Sequence, residues 1–389
     1  MSKPDSAVTR VFLRLVFAVW CASASRAWGE TPTPPAIASI GSIPGPATCA
    51  TSGCHGGADA ISRQYVIWSQ RDVHSRAYAT LTSARAARMG EALKIAQPTQ
   101  SATCTACHAP LQTVAPTLLA ANARIEDGVT CASCHGSGET WLRSHTRPDW
   151  THADRVAAGM HELRNLYGRA NTCVACHQNI DPALVKVGKH PQLIFELDGQ
   201  AASEPKHWRE SAMWQGAQAW YVGQAVALRE MSGALRKGSA DAELDAPRWA
   251  GLLWVLQRCD ADDASASLAS LTTEPTPAAY TAAMDSTDSA AQHAAGLAWT
   301  HDKTKAVLKK LAASHPGFLE TSVAKSVQAY RAERLVLALD RLLASLPPKQ
   351  RPAAASARLD TLFQLAQSIP DFSPTDFARE LAAFEKTLD

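Results

Sequence analysis

Four times between Cys49 and His177 a pair of cysteines is followed at once by a histidine, and nothing else limits the fold of this 389-residue chain so tightly. Three pairs have the form Cys-x-x-Cys-His: Cys104-Thr-Ala-Cys107-His108, Cys131-Ala-Ser-Cys134-His135 and Cys173-Val-Ala-Cys176-His177. The first, Cys49-Ala-Thr-Ser-Gly-Cys54-His55, has four residues between its cysteines. Two thiols so placed reach the two vinyl groups of one porphyrin while the next side chain turns its imidazole onto the iron. A zinc ribbon or a thioredoxin-like redox pair also uses paired cysteines, but both leave the histidine after every second cysteine without a purpose. For the long-spaced motif the competing reading is a Cys49–Cys54 disulfide. The sequence therefore predicts four covalently bound haem c groups. They are attached through Cys49, Cys54, Cys104, Cys107, Cys131, Cys134, Cys173 and Cys176, with His55, His108, His135 and His177 on the irons.

Residues 49–208 hold all four motifs, about forty residues for each haem, and a globule of that size has a radius of gyration of only about 15 Å. The macrocycles must then stack or meet edge to edge, and porphyrin must supply much of the core. The segment has few alternating strand-like runs and several short helical ones. From Arg209 onward His and Cys almost vanish, and Ala, Leu and Trp take over. Trp214, Ala217, Tyr221, Ala225, Leu228, Met231 and Leu235 share one helical stripe, with Gly238 at its end. Leu335, Leu339, Leu342 and Leu346 make a second stripe, stopped by Pro347-Pro348, and 353–388 continues the helical period. Ser265 to Asp288 reads as a loop-rich break. The expected fold is all-α: a multihaem cytochrome c segment with haems forming much of its core, plus a C-terminal helical domain at 209–389. An ordinary helical core explains these stripes better than an oligomer or partner surface, the competing reading.

Residues 1–29 read as a signal peptide, with Lys3, Arg10 and Arg14 at its start, a short apolar stretch and Ala27-Trp28-Gly29 before the cut. Cleavage after Ala24 is the alternative. Residues 30–48 form a Pro-rich leader. Losing 1–29 removes four basic residues and one acidic residue, so 38 against 36 becomes 34 against 35. This balance gives no electrostatic case for nucleic acid, and no later stretch is long and apolar enough for a transmembrane span. The expected compartment is the periplasm or another exported location, and the expected partners are a redox protein donor and acceptor. Cys259, outside every motif, reads as a small buried side chain.

Trp68-Ser-Gln-Arg-Asp-Val-His74-Ser-Arg-Ala-Tyr78 resembles a segment of the tetrahaem cytochrome family that takes electrons from hydroxylamine oxidoreductase in nitrifying bacteria. Gly128-Val-Thr-Cys131-Ala-Ser-Cys134-His135-Gly-Ser-Gly138, followed by His145, resembles that family's third haem motif. The resemblance covers roughly Cys49 to His177 and implies that His145 caps the haem of His55 and His74 that of His135. It also implies a downstream cap for the haem of His177, either His190 or His207. His190 is preferred, because Pro191 and the apolar run after it read as a helix start docked against a haem. The haem of His108 is implied to be open, with His152, His161 and the unused member of the His190/His207 pair as rivals to close it. The long first motif and the helical extension depart from the family. Closely packed haems with paired histidines imply an electron carrier. The alternative is an oxidoreductase whose open haem acts on a small nitrogen or oxygen species, and a third reading makes the chain a docking subunit of a larger redox complex.

Overall fold

An α-helix brings residues i, i+3 and i+4 to one face, so Cys-x-x-Cys-His written on a helix presents both thiols and the imidazole on the same side. The computed structural model, which describes residues 42–210, 216–259, 266–368 and 371–388, uses this three times. Helices α1 (Gln64–Arg71), α2 (Ala77–Leu81) and α3 (Ala84–Leu93) precede α4 (Ala102–His108), which ends on the second motif's histidine. The third motif is the whole of α5 (Cys131–His135). After α6 (His152–Ala157), α7 (Leu166–His177) ends on the fourth, its start capped by Asn165, whose side-chain oxygen accepts from the N–H groups of Tyr167 and Gly168. The first motif places its cysteines five apart, which no helical turn brings to one face. Its chain folds back instead, with His55 N–H donating to the Cys49 carbonyl at 3.1 Å and Gly56 N–H to that of Thr51 at 3.0 Å.

Next come α8 (Pro182–Lys186), α9 (Leu197–Ser203) and α10 (Gly216–Lys237), then α11 (Ala242–Arg258), α12 (Ala266–Ala269) and α13 (Pro277–Gly296). The described chain closes with α14 (His301–Ala312), α15 (Lys325–Ser345), α16 (Ala353–Ala366) and α17 (Pro374–Glu385). Among the described residues the only extended pairing is an isolated parallel bridge of Ile43 with Leu119, so the all-α expectation holds. That bridge lies in the part of the leader that is described; the signal-peptide residues fall outside the described residues.

Two apolar clusters of very different size hold the chain. Upstream, the buried cluster is Ile43, Leu111 and Ala132 with a few half-buried neighbours. The large one starts at Leu166, Ala170 and Val174 on α7, takes in Phe195 and Leu197, and runs through the helices to Phe384. Its centre is α10, packed by α7, α9, α11, α13 and α15 and buried from Ala217 to Leu235. Ala217 to Leu235 of the predicted stripe therefore belong to the chain's own core, Trp214 lies outside the described residues, and Gly238 with φ 69° ends the helix as expected. The second leucine stripe is likewise buried, on α15 and just beyond it.

The expected break at 265–288 is corrected in its second half. Thr276 caps and Pro277 opens α13, whose Tyr280, Ala283, Thr287, Ala290, Ala291 and Ala294 form a buried helical face. Small polar residues on its outer side hid this period. Cys259 is fully buried, its thiol against the Val255 carbonyl, as expected.

Candidate haem-binding sites

Each motif histidine in the structure faces one histidine from elsewhere in the chain. The ring centres of His55 and His145 lie 6.0 Å apart, those of His177 and His74 6.1 Å, His108 and His190 6.4 Å, and His135 and His207 6.5 Å. An imidazole bound through Nε2 at about 2.0 Å from a metal has its centre roughly 3.1 Å from it, so two on opposite faces of one iron stand roughly 6.2 Å apart. All four pairs match that separation.

His145 falls opposite His55, as the resemblance implied, on a turn where Trp141 packs edge-on against it at 5.6 Å. The other pairings differ from that expectation. The His74 backbone carbonyl accepts from Val129 N–H at 3.0 Å just ahead of the third motif, and Trp68 Nε1 donates to the Val129 carbonyl. Gly128, at φ 72°, permits this approach, since a Cβ there would stand 2.7 Å from the His74 carbonyl oxygen. The two segments that carry the resemblance thus touch, yet the His74 ring turns to His177 and not to His135. His207 takes the place opposite His135 because the stretch after it docks on α7: Arg169 pairs with Glu210 at 3.2 Å and lies 5.6 Å over Trp208. His190 stands opposite His108, not His177, because α8 packs on α3, with Gly188 against Leu93 and Arg85 donating to the Lys189 carbonyl. Lys189 sits in the left-handed region at φ 59° to make that turn. The rivals are engaged elsewhere: His152 pairs with Glu162 at 2.7 Å, and His161 bonds the Cys134 carbonyl at 2.9 Å.

Behind six of the eight rings, oxygen acceptors hold Nδ1 and leave Nε2 for a metal. His55 Nδ1 meets Gln64 Oε1 at 3.0 Å, His108 meets Thr80 Oγ1 at 2.9 Å and the Ala77 carbonyl at 3.1 Å, and His190 meets the Pro191 carbonyl at 2.8 Å. His145 bonds the Leu142 carbonyl. The Gln200 amide lies 3.2 Å from His177 Nδ1, and turning it over gives its buried, otherwise unpartnered oxygen the ring N–H. His74 alone of these has a carboxylate, Asp72 Oδ1 at 2.9 Å. Sequence reading missed every one of these supporting groups; Asp72, two residues before a singled-out histidine, was the most legible.

Burial pushes His108, His177 and His207 down, and His135 to about 4, so these rings are neutral and offer a lone pair at ordinary pH. His74 moves the other way, raised by its hydrogen bond to Asp72. Burial pushes Asp72 up, but the His74 side chain and backbone N–H outweigh it and hold the carboxyl below its usual range.

The thiols tie the motifs to one another. Cys49 touches Cys131, Cys107 touches Cys176, and Cys134 and Cys173 interact electrostatically. No disulfide occurs among the described cysteines, Cys49 and Cys54 included. The residues fit haem: thiols in pairs beside facing pairs of imidazoles, little apolar core of their own, and the buried Nε atoms of Arg63 and Arg155 without a hydrogen-bond partner.

Residues 48–136 match the family described as cytochrome c554 and c-prime, a stretch that contains the first three motifs. The match supports a multihaem c-type cytochrome. Covalently bound haem c and a place in electron transfer come with that family. No curated protein and no solved structure matches the chain. No helix among the described residues is long and apolar enough to cross a membrane.

Proposed function

We propose that this chain is an exported cytochrome whose four haems, each gripped between a motif histidine and a second histidine, relay electrons between a donor and an acceptor redox protein. The observation that carries this reading is the set of four facing ring pairs at 6.0 to 6.5 Å. Haem supplies the Fe(III)/Fe(II) couple; no general base or nucleophile is needed. The chain's part is to hold the attachment sites close and to fix both imidazoles of every pair. The thiol contacts favour the order first, third, fourth, second motif along the relay. Export follows from the attachment chemistry, which takes place outside the cytoplasmic membrane, and from the signal-like start of the sequence.

His190 opposite His108 works against the enzymatic alternative, which needed an open face there. The test is the mass and low-temperature paramagnetic resonance of the purified mature protein. The expected result is four haems added to the chain and only low-spin ferric signals. His190→Ala should turn one of the four high-spin and open it to nitrite or hydroxylamine. A high-spin signal in the unaltered protein that shifts with those ligands would instead establish the enzymatic reading.

A further inference from the structure

The ring pairs differ in the charge that stands behind them. The partners found for His55, His108, His145, His177 and His190 are neutral amides, a hydroxyl and backbone carbonyls. Behind His74 is the Asp72 carboxylate, whose side chain is only 3 % exposed, with the Glu204 carboxylate within 4.8 Å of both; the Asp72 charge also reaches His207 at longer range. Asp72 is also fixed in place: it precedes the turn Val73–Arg76 and accepts the His74 backbone N–H at 2.9 Å as well as the ring N–H at 2.9 Å.

A carboxylate that accepts the Nδ1 proton raises the basicity of a metal-binding imidazole. Buried negative charge near an iron also favours the form with one more positive charge, and burial keeps solvent from screening it. Both effects stabilise the ferric state. We propose that Asp72 is the potential-setting residue of the relay, making the haem between His177 and His74 the last of the four to accept an electron. On reduction of that haem one electron arrives from a one-electron donor, Fe(III) becomes Fe(II), and the Nδ1 proton stays on His74. The inference rests on the paired-histidine relay proposed above. Its consequence is an uphill step inside the series: the first and third motifs lie on one side of the fourth, the second motif on the other, so electrons collect in two arms separated by a barrier.

The test is a dithionite titration of the full-length holoprotein at fixed pH, followed by visible absorbance and by paramagnetic resonance of partly reduced samples. Asp72→Asn should raise the lowest-potential component most, with a smaller rise in the component of the haem between His135 and His207, whose His207 also feels the Asp72 charge, leaving four haems attached and every iron low-spin. Asp72→Ser is the second variant, because a hydroxyl can still cap the turn while the charge is gone; it should raise the same component. Asp72→Glu, which keeps a carboxylate, should return that component toward its original potential. A role in folding alone would shift haem content or melting and leave the potentials where they were. An unmoved lowest component in Asp72→Asn or Asp72→Ser, or a larger shift in any other component, overturns the assignment to Asp72. Fewer than four haems, or a high-spin iron in the unaltered protein, overturns the relay reading instead.

Discussion

With the eight motif cysteines changed to serine, so that no thioether can form, the chain is expected to be cut by protease throughout residues 49–165 while a helical fragment starting near Leu166 survives. Ordering a residue costs about 1–2 kcal/mol of backbone entropy, and a buried Leu or Phe returns roughly 2 kcal/mol. Upstream of α7 the buried apolar cluster is Ile43, Leu111 and Ala132, far too little to order more than a hundred residues. From Leu166 onward the core is continuous to Phe384 and is built from leucine, phenylalanine and tryptophan side chains. Composition changes at Arg209, but burial begins at Leu166, because α7 lies on α10 and α13 while presenting Cys173 and Cys176 at its far end. Limited proteolysis read by mass spectrometry, with the melt followed by circular dichroism, checks this. A haemless chain resistant along its whole length would contradict it, and a stable fragment beginning near residue 209 would place the boundary elsewhere.

The four motifs were legible in the sequence because each is local, and in three of them two thiols and an imidazole fall within one helical turn. The second histidines were not, because each comes from a segment fixed by tertiary contacts that no spacing records. The resemblance set His145 opposite His55, where its ring lies. It set His74 opposite His135, but the ring faces His177, since the backbone hydrogen bond of Val129 and His74 says nothing of where the imidazole turns. His190 and His207 were both singled out, but what assigns them is the packing of α8 on α3 and of Trp208 and Glu210 on Arg169. In the helical part, leucine stripes were legible from their period. The alanine, serine and threonine of α13 were not, since such residues suit loops and helices alike until a neighbour such as α10 selects one face.

That neighbour is joined to α13 and α7 by a buried ionic network, and Arg229→Leu should be among the most destabilising single changes in the helical part. The Arg229 guanidinium, 8 % exposed, meets Glu230 at 2.7 Å, Asp288 at 2.6 Å and the Asn171 side-chain oxygen at 2.6 Å. Tyr167 OH donates to Asp288 at 2.7 Å, and Gln292 donates to the other Asp288 oxygen at 2.8 Å. Burial lowers Arg229, but Glu230 and Asp288 more than compensate, so the guanidinium stays charged. Burial pushes Glu230 up against the pull of Arg229, its hydrogen-bonded cation, and the weaker pull of Lys237. Removing that cation leaves Glu230 buried without its partner, at a cost of about 3–5 kcal/mol, or roughly 10 °C in the melting of a unit this size. The double variant Arg229→Leu with Glu230→Leu should recover much of the loss, because the buried Glu230 charge is gone and Asp288, 31 % exposed, keeps its bonds from Tyr167 and Gln292. Haem content should equal that of the unaltered protein in both, since thioether bonds hold a haem c whether or not α7 is firmly docked. Thermal melts of the two variants with a haem count on the same samples decide it: if Arg229→Leu melts with the unaltered protein, the network contributes nothing to holding the fourth motif's helix against the core.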